Sequence, residues 1–273
     1  MMLTTDGLQF WGFVESPSSE AQFYWSLLAI WAVLGLIALV LLLIMPAPYG
    51  RFAPRDSKSA TSRRGVPSKI AWAVMESPTV WVFGLIFFLS SRKGIVPITF
   101  FLLWNCHYLY RSVLYPLRLR SRRRVPGYIV GCALLFNSIN AYLQAGFLFR
   151  LAVPYPRQWL GDPRFWIGGV LFALGFATHV WADGKLRRLR SDQRSGYEIP
   201  HGGLFEWVSC PNYLGELIQW VGWAVLTWSA GGLVFAWWTF ANLLPRALAY
   251  QAWYRDRFAD YPRERKAILP FVI

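Results

Sequence analysis

The stretch FYWSLLAIWAVLGLIALVLLLIM, residues 23–45, contains no charged residue and is long enough to cross the hydrocarbon core of a bilayer as a helix. It decides the class of fold, because a surface helix of a water-soluble protein would need a polar face. The preceding residues 1–21 carry acidic side chains but no Lys or Arg, so they lack the basic region of a cleavable signal peptide. We therefore predict a permanent membrane span here.

Six further apolar runs follow, and clusters of charged residues separate most of them. The seven predicted spans are residues 23–45, 70–91, 95–115, 128–153, 165–183, 213–229 and 233–252. They predict an all-α integral membrane protein that forms a single membrane domain over residues 1–273. Residues 184–211 are expected to be an ordered cytoplasmic loop, and the apolar end of residues 255–273 is expected to fold back against the helices.

The basic residues set the predicted orientation. The chain of 273 residues is 55% hydrophobic, yet it carries 28 Lys and Arg against 14 Asp and Glu, for a net charge of +14. Across the seven predicted spans, five basic residues fall on one side and all others on the opposite side; the five are Arg92, Lys93, Arg150, Arg157 and Arg164. Because basic loops stay in the cytoplasm, the N-terminus is predicted outside and the C-terminus inside. The charge is thus interpreted mainly as a topology signal, which disfavours a nucleic-acid partner.

Metal and disulfide chemistry are not indicated. The three cysteines are far apart without a paired spacing, and three histidines are too few for a multi-histidine di-iron site. The sequence has no GxGxxG, Walker A or HExxH pattern. No metal site and no Rossmann-type nucleotide site are predicted.

Two polar residues stand at similar depth in neighbouring predicted spans. Glu76 lies about 9 Å from the cytoplasmic end of the second span, and Tyr108 about 10 Å from the same end of the third, at 1.5 Å per residue. A carboxyl group beside a phenol in an apolar pocket is suited to grip a carbonyl oxygen. The alternative is that Glu76 neutralises Lys69 and that Tyr108 only packs.

Further polar residues recur at helical i,i+4 spacing near the cytoplasmic ends of later spans. The pairs are His179 with Asp183, Asn212 with Glu216, and Tyr250 with Tyr254. Their clustering favours a site, although interhelical hydrogen bonds or an aromatic belt would use the same residue types. Asn137, Asn140 and Gln144 form a stripe on the fourth span that is either packing or a pocket wall.

Four segments of the sequence together resemble the steroid 5α-reductase family. They are AWAVMESP (71–78), HYLYRSVLYP (107–116), EIPHGGLFEWVSCPNYLGELIQWVGWAVLTWS (198–229) and the C-terminal RFADYPRERKAILPFVI (257–273). Their order and spacing extend the resemblance from about residue 49 to the C-terminus.

The resemblance implies a seven-helix membrane enzyme that uses NADPH to reduce the C4–C5 double bond of 3-oxo-4-ene steroids. It implies that Glu76 and Tyr108 are the catalytic pair at the 3-oxo oxygen, and that Arg265 has a structural or cofactor-supporting role. The implied cofactor contacts are Arg111, Arg122, His179, Asp183, Arg190, Tyr197, Asn212, Glu216, Tyr250 and Tyr254. The active site would open to the cytoplasm, the steroid would enter from the lipid bilayer, and no oligomer would be required.

The chain departs from the family pattern at Met75, His179, Glu198 and Tyr250, which leaves the preferred steroid open. Alternatives are a related membrane reductase of sterols or enoyl thioesters, or a methyltransferase like those that act on isoprenylcysteine, which share a segment similar to PNYLGE. A non-catalytic lipid-binding protein would use the interior polar residues as packing.

Overall fold

A computed structural model of the protein describes residues 18–45, 65–119, 124–191 and 198–273. The described residues are predominantly helical, as predicted. The helices are α1 (Ser19–Ile44), α2 (Ser68–Leu89), α3 (Ile95–Leu109), α4 (Tyr115–Arg118), α5 (Gly127–Gly146), α6 (Pro163–Ser191), α7 (Pro211–Thr227) and α8 (Ala230–Arg257). Two π-helical turns follow α3 and α5, at Tyr110–Leu114 and Phe147–Leu151, and 3-10 turns occupy Arg157–Gly161 and Gly203–Glu206.

Each predicted span overlaps a long helical segment. Four of these segments are long and apolar enough to cross a membrane, namely α1, α2, α5 with its π-helical turn, and residues 163–189 of α6. The sequence did not predict the short antiparallel pair of β1 (Val66–Pro67) with β2 (Arg124–Val125), which precedes α2 and α5.

Helices α6 and α8 extend beyond the predicted boundaries. Helix α6 continues past residue 183 to Ser191, because the run of Lys, Leu and Arg after Gly184 favours helix strongly enough to outweigh one glycine. Helix α8 begins at Ala230 and continues to Arg257. The connections before and after α7 are therefore shorter than the sequence indicated.

The chain divides into two compact units. Among the described residues, unit 1 comprises residues 18–29, 65–119, 124–165 and 227–231, and unit 2 comprises residues 30–45, 166–191, 198–226 and 232–273. In unit 1, α2 packs closely on α5, and an aromatic cluster joins α2 to α3, where the ring of Phe83 stacks on Trp104 at 4.7 Å. This packing places the inner faces of α2 and α3 against each other.

In unit 2, the C-terminal segment after α8 pairs with the residues that lead into α7. The Ser209 N–H donates to the carbonyl of Lys266 at 2.7 Å, and the Cys210 N–H donates to that of Ala267 at 3.1 Å. Apolar residues of both segments, including Val208 and Ile268, are completely buried beside α7 and α8. The C-terminus therefore fixes the start of α7.

Candidate active site

Glu76 of α2 forms an ion pair with Arg111. The Nη2 atom of Arg111 lies 3.5 Å from Oε1 of Glu76, and each side chain is 13% exposed. Arg111 belongs to the π-helical turn after α3, a distortion that often occurs at functional sites. The alternative partner considered from sequence, Lys69, is not needed to explain the placement of this carboxylate.

Two aromatic rings hold the Arg111 side chain. Its guanidinium lies 4.8 Å from the ring centre of Trp72 and 5.1 Å from that of Tyr115, and these two rings pack edge to face. Cation–π contacts of this kind contribute about 0.5–1 kcal/mol each at partly exposed sites. Arg111 is thus held in place independently of any ligand.

Tyr108 is buried in α3 and connects to Glu76 through a short network. Its ring packs 4.7 Å from the ring of Trp104, whose indole Nε1 donates to the carbonyl of Thr79 at 2.8 Å. The Thr79 hydroxyl in turn donates to the carbonyl of Glu76 at 2.5 Å. The two residues selected by depth in the sequence therefore belong to one packed cluster of unit 1.

Unit 2 brings together four of the other predicted site residues. The Nε2 atom of His179 lies 3.6 Å from Oδ2 of Asp183, and its Nδ1 lies 3.3 Å from the Asn212 carbonyl. The Asn212 amide donates to Asp183 at 3.2 Å, and Oε2 of Glu216 lies 4.0 Å from His179 Nδ1. His179 and Asp183 are buried, so the two i,i+4 pairs on α6 and α7 face each other as one polar cluster.

Glycines bring α6 and α7 into close contact at this cluster, a feature that the sequence analysis missed. A methyl group on Gly215 would lie 2.5 Å from the backbone nitrogen of His179, and one on Gly222 would lie 2.5 Å from that of Phe172. Gly168 and Gly175 of α6 meet α7 in the same way. The four glycines form what we call the glycine seam, and the spacing of seven residues within each helix was the signal that could have revealed it.

The remaining predicted residues are placed differently. The ring of Tyr250 lies 6.1 Å from that of Tyr213, whereas Tyr254 stacks on Tyr261 of the C-terminal segment at 5.3 Å. Neither contact joins these tyrosines directly to the His179 cluster. Arg122 and Tyr197 lie outside the described residues, as does the side chain of Arg190.

Arg265 supports the segment before α7. It is buried, and its Nη1 donates to the carbonyl of Pro200 at 3.1 Å, while its Nη2 lies 3.7 Å from Oε2 of Glu206. A hydrogen bond from the Gly202 N–H, assisted by the charge of Arg265, holds the pKa of Glu206 below its usual value. Gly202 and Gly203 have φ values of +85° and +61°, which favour glycine at this turn.

The chemistry of the unit 2 cluster fits a dinucleotide. Carboxylates such as Asp183 and Glu216 accept hydrogen bonds from sugar hydroxyls, and the Asn212 amide offers both a donor and an acceptor. One turn further along α6, Lys185, Arg187 and Arg188 supply the positive charge that phosphates require. Lys185 lies 3.5 Å from the carbonyl of Gly202, so this basic end of α6 adjoins the turn before α7.

Long apolar helices that pack around clusters of polar side chains are typical of an integral membrane protein, and this chain is one. The sequence profile described as 3-oxo-5-alpha-steroid 4-dehydrogenase matches residues 123–273. The chain is 44% identical over 232 residues to the steroid 5-alpha-reductase DET2 of Solanum lycopersicum, covering 83% of this chain and 88% of that protein. It is 37% identical over 249 residues to the 3-oxo-5-alpha-steroid 4-dehydrogenase 1 of Bos taurus, covering 88% and 93%.

These matches confirm the resemblance seen in the sequence. The chain belongs to the steroid 5α-reductase family, and it is an oxidoreductase of the type that acts on CH–CH groups.

Proposed function

We propose that this protein is an NADPH-dependent reductase of the C4–C5 double bond of 3-oxo-4-ene steroids, and that it yields 5α-dihydrosteroids. Family membership supports the reaction class, since the relatives are named as steroid 5α-reductases. The observation that carries the proposal is the packed cluster that links Tyr108, through Trp104 and Thr79, to the backbone of Glu76, whose carboxylate pairs with Arg111. The resemblance assigns Glu76 and Tyr108 to the substrate's 3-oxo oxygen and Arg111 to the cofactor.

The task of this cluster is to stabilise charge on the 3-oxo oxygen. As a hydride adds to C5 of the conjugated enone, negative charge develops on that oxygen. The Tyr108 hydroxyl is the donor to it, since a carboxylate paired with Arg111 only accepts hydrogen bonds. Glu76 then orients the donor and its surroundings. One preorganised donor at a developing oxyanion contributes about 2.7–4 kcal/mol to transition-state stabilisation.

The cofactor role belongs to the residues of unit 2 with help from the basic segments. When bound, NADPH supplies the hydride. His179, Asp183, Asn212 and Glu216 are proposed to hold its polar groups, with Tyr250 and Tyr254 on α8 contributing apolar and hydroxyl contacts. Arg122, Arg190 and Tyr197 complete the proposed set, and the two arginines are suited to bind phosphate.

For the membrane arrangement we propose seven spans, with the N-terminus outside and the C-terminus in the cytoplasm. The uneven distribution of Lys and Arg supports this orientation. Residues 184–211 and 255–273 are proposed to cover the cofactor on the cytoplasmic side. A hydrophobic steroid enters from the bilayer, and no oligomer is needed.

The test is turnover by the purified full-length chain in lipid nanodiscs. We expect NADPH oxidation to depend on a 3-oxo-4-ene steroid and to yield the 5α-dihydro product, identified by mass spectrometry. Sterols with an isolated double bond and enoyl thioesters serve as comparison substrates. Preference for either would make the chain a related reductase, and methyl transfer from S-adenosylmethionine without NADPH oxidation would overturn the proposal.

A further inference from the structure

A proline interrupts the hydrogen bonding of α2 next to Glu76. Pro78 lies inside the helix, two residues after Glu76, and it has no N–H to donate to the carbonyl of Val74. The proline ring also pushes against that carbonyl and loosens the turn that contains Glu76. Left alone, this turn would hold Glu76 less firmly than an ordinary helical turn.

Three side chains donate hydrogen bonds to three successive carbonyls of this turn. The Ser77 hydroxyl donates to Val74 at 3.0 Å, and the Thr79 hydroxyl donates to Glu76 at 2.5 Å. Both come from α2 itself. The third donor is different, since the amide Nδ2 of Asn137 reaches the carbonyl of Met75 at 2.6 Å from α5, 62 residues along the chain.

Asn137 is distinct from the other amides in its stripe on α5. The Gln144 amide donates to the carbonyl of Gly231 at 2.8 Å. Asn137 instead lies against α2, is only 8% exposed, and is close to the apolar contact of Ala71 and Met75 with Val130. Packing alone would not require an amide here, because an apolar side chain of similar size would fill the same space.

We propose that Asn137 is a positioning residue for catalysis. By holding the carbonyl of Met75, it fixes the proline-weakened turn of α2 and so sets the carboxylate of Glu76 against Arg111. This inference rests on the proposed function, in which Glu76 orients the Tyr108 hydroxyl that donates to the substrate's 3-oxo oxygen. It assigns a role to a residue on α5 whose hydrogen bond is to the backbone next to Glu76.

The test uses full-length variants in nanodiscs, with turnover expressed per NADPH-binding site so that loss of folded protein does not count. Asn137→Ala removes the amide, and Asn137→Asp keeps its shape but lacks the NH2 donor. We expect kcat to fall about 10-fold in both, since small displacements of a catalytic group are costly, while the Kd for NADPH changes less than about twofold. If Asn137→Ala does not fold, the kcat of Asn137→Asp alone tests the proposal.

The matched control is Ser138→Ala. Ser138 is the next residue on α5, and its hydroxyl donates within that helix, to the carbonyl of Leu134 at 2.8 Å. Its kcat should equal that of the original protein. A kcat that falls as much in Ser138→Ala as in Asn137→Asp would show a general effect of disturbing α5 and would overturn the inference.

A double-mutant cycle with Glu76→Gln tests whether Asn137 acts by positioning Glu76 or only by stabilising the fold. If Asn137 acts through Glu76, adding Asn137→Asp to Glu76→Gln changes the single-turnover rate and the steroid Kd by less than about twofold. A full further 10-fold loss would overturn the inference. If the original protein oxidises no NADPH with any enone, the proposed function itself is wrong. If the original protein does oxidise NADPH with an enone and Asn137→Asp is fully active, only the role of Asn137 is wrong.

Discussion

Arg111 lies within 3.5 Å of the carboxylate of Glu76, although the two residues are 35 positions apart and the resemblance assigns Arg111 to the cofactor. The ion pair connects α2 to the π-helical turn after α3, and the rings of Trp72 and Tyr115 hold its cationic side. Arg111 therefore contacts the carboxylate that is proposed to orient the Tyr108 hydroxyl. Arg111 has two possible roles, support of the Glu76 carboxylate or binding of NADPH, and kinetic measurements can distinguish them.

Arg111→Ala is expected to lower kcat about 10-fold or more and to change the Kd for NADPH less than about threefold. The reason is that the change removes the partner of a partly buried carboxylate. Stopped-flow turnover and calorimetric NADPH titration measure the two quantities. The control is Arg118→Ala on the exposed side of α4. A large rise in the Kd for NADPH with an unchanged kcat would show that Arg111 binds the cofactor, as the resemblance implies.

Tyr108→Phe should lower kcat by about 10²–10³-fold, because it deletes one donor to a developing oxyanion and keeps the buried ring. NADPH should still raise the thermal midpoint of the variant as it does for the original protein. Tyr128→Phe, at an exposed position on α5, is the matched control. Activity within about twofold of the original protein in Tyr108→Phe would remove the hydroxyl from the mechanism.

The His179 cluster is expected to control cofactor affinity. Asn212→Ala removes the donor of the 3.2 Å hydrogen bond between α6 and α7, and Asp183→Asn replaces its charged acceptor with a neutral amide oxygen; we expect each to raise the Kd for NADPH about 10-fold. Thermal shift against NADPH concentration measures this directly. The exposed acid Asp256 provides the control, Asp256→Asn. The same cofactor dependence in all three variants would contradict the assignment.

Gly215→Ala should destabilise the protein by about 1–3 kcal/mol, because a methyl group there meets the backbone of His179 at 2.5 Å. Its NADPH affinity should fall as well, since the cluster of His179 and Glu216 lies at this contact. Gly169→Ala on α6 is the control, as its methyl group would meet nothing within 4 Å. Thermal midpoints that coincide for the two variants would show that the helices accommodate the group.

The Glu206 carboxylate gives a pH dependence with a definite sign. Its pKa is below the ordinary 4.5 in the folded protein, so its stabilising contacts are complete above that pH and are lost as the pH falls further. The thermal midpoint of Glu206→Gln should therefore lie below that of the original protein at pH 6 and approach it toward pH 3. A constant difference across this range would exclude titration of Glu206 as the cause.

The sequence predicted the helices well, because long apolar runs bounded by charge have few other solutions in a bilayer. It also selected Glu76 and Tyr108 from depth alone, and the i,i+4 pairs that meet around His179. It did not predict the partner of Glu76, because Arg111 reaches it through a π-helical turn with no sequence pattern that we recognised. The hydrogen bond from Asn137 to the Met75 carbonyl could not be predicted either, since an amide on an apolar helix is compatible with packing or with a specific contact.

The glycine seam bears on how inherited or engineered changes in this chain should be interpreted. At Gly168 or Gly222 the smallest possible substitution, alanine, adds a methyl group against the backbone of the neighbouring helix. A change that looks conservative is therefore expected to lower the stability of the folded protein. Any compound that binds only the folded protein counteracts such a loss of stability by mass action, with about 2.7 kcal/mol gained at 100 times its Kd. Variants along the seam are therefore candidates for rescue by a tight-binding steroid analogue, whereas variants of Tyr108 are not.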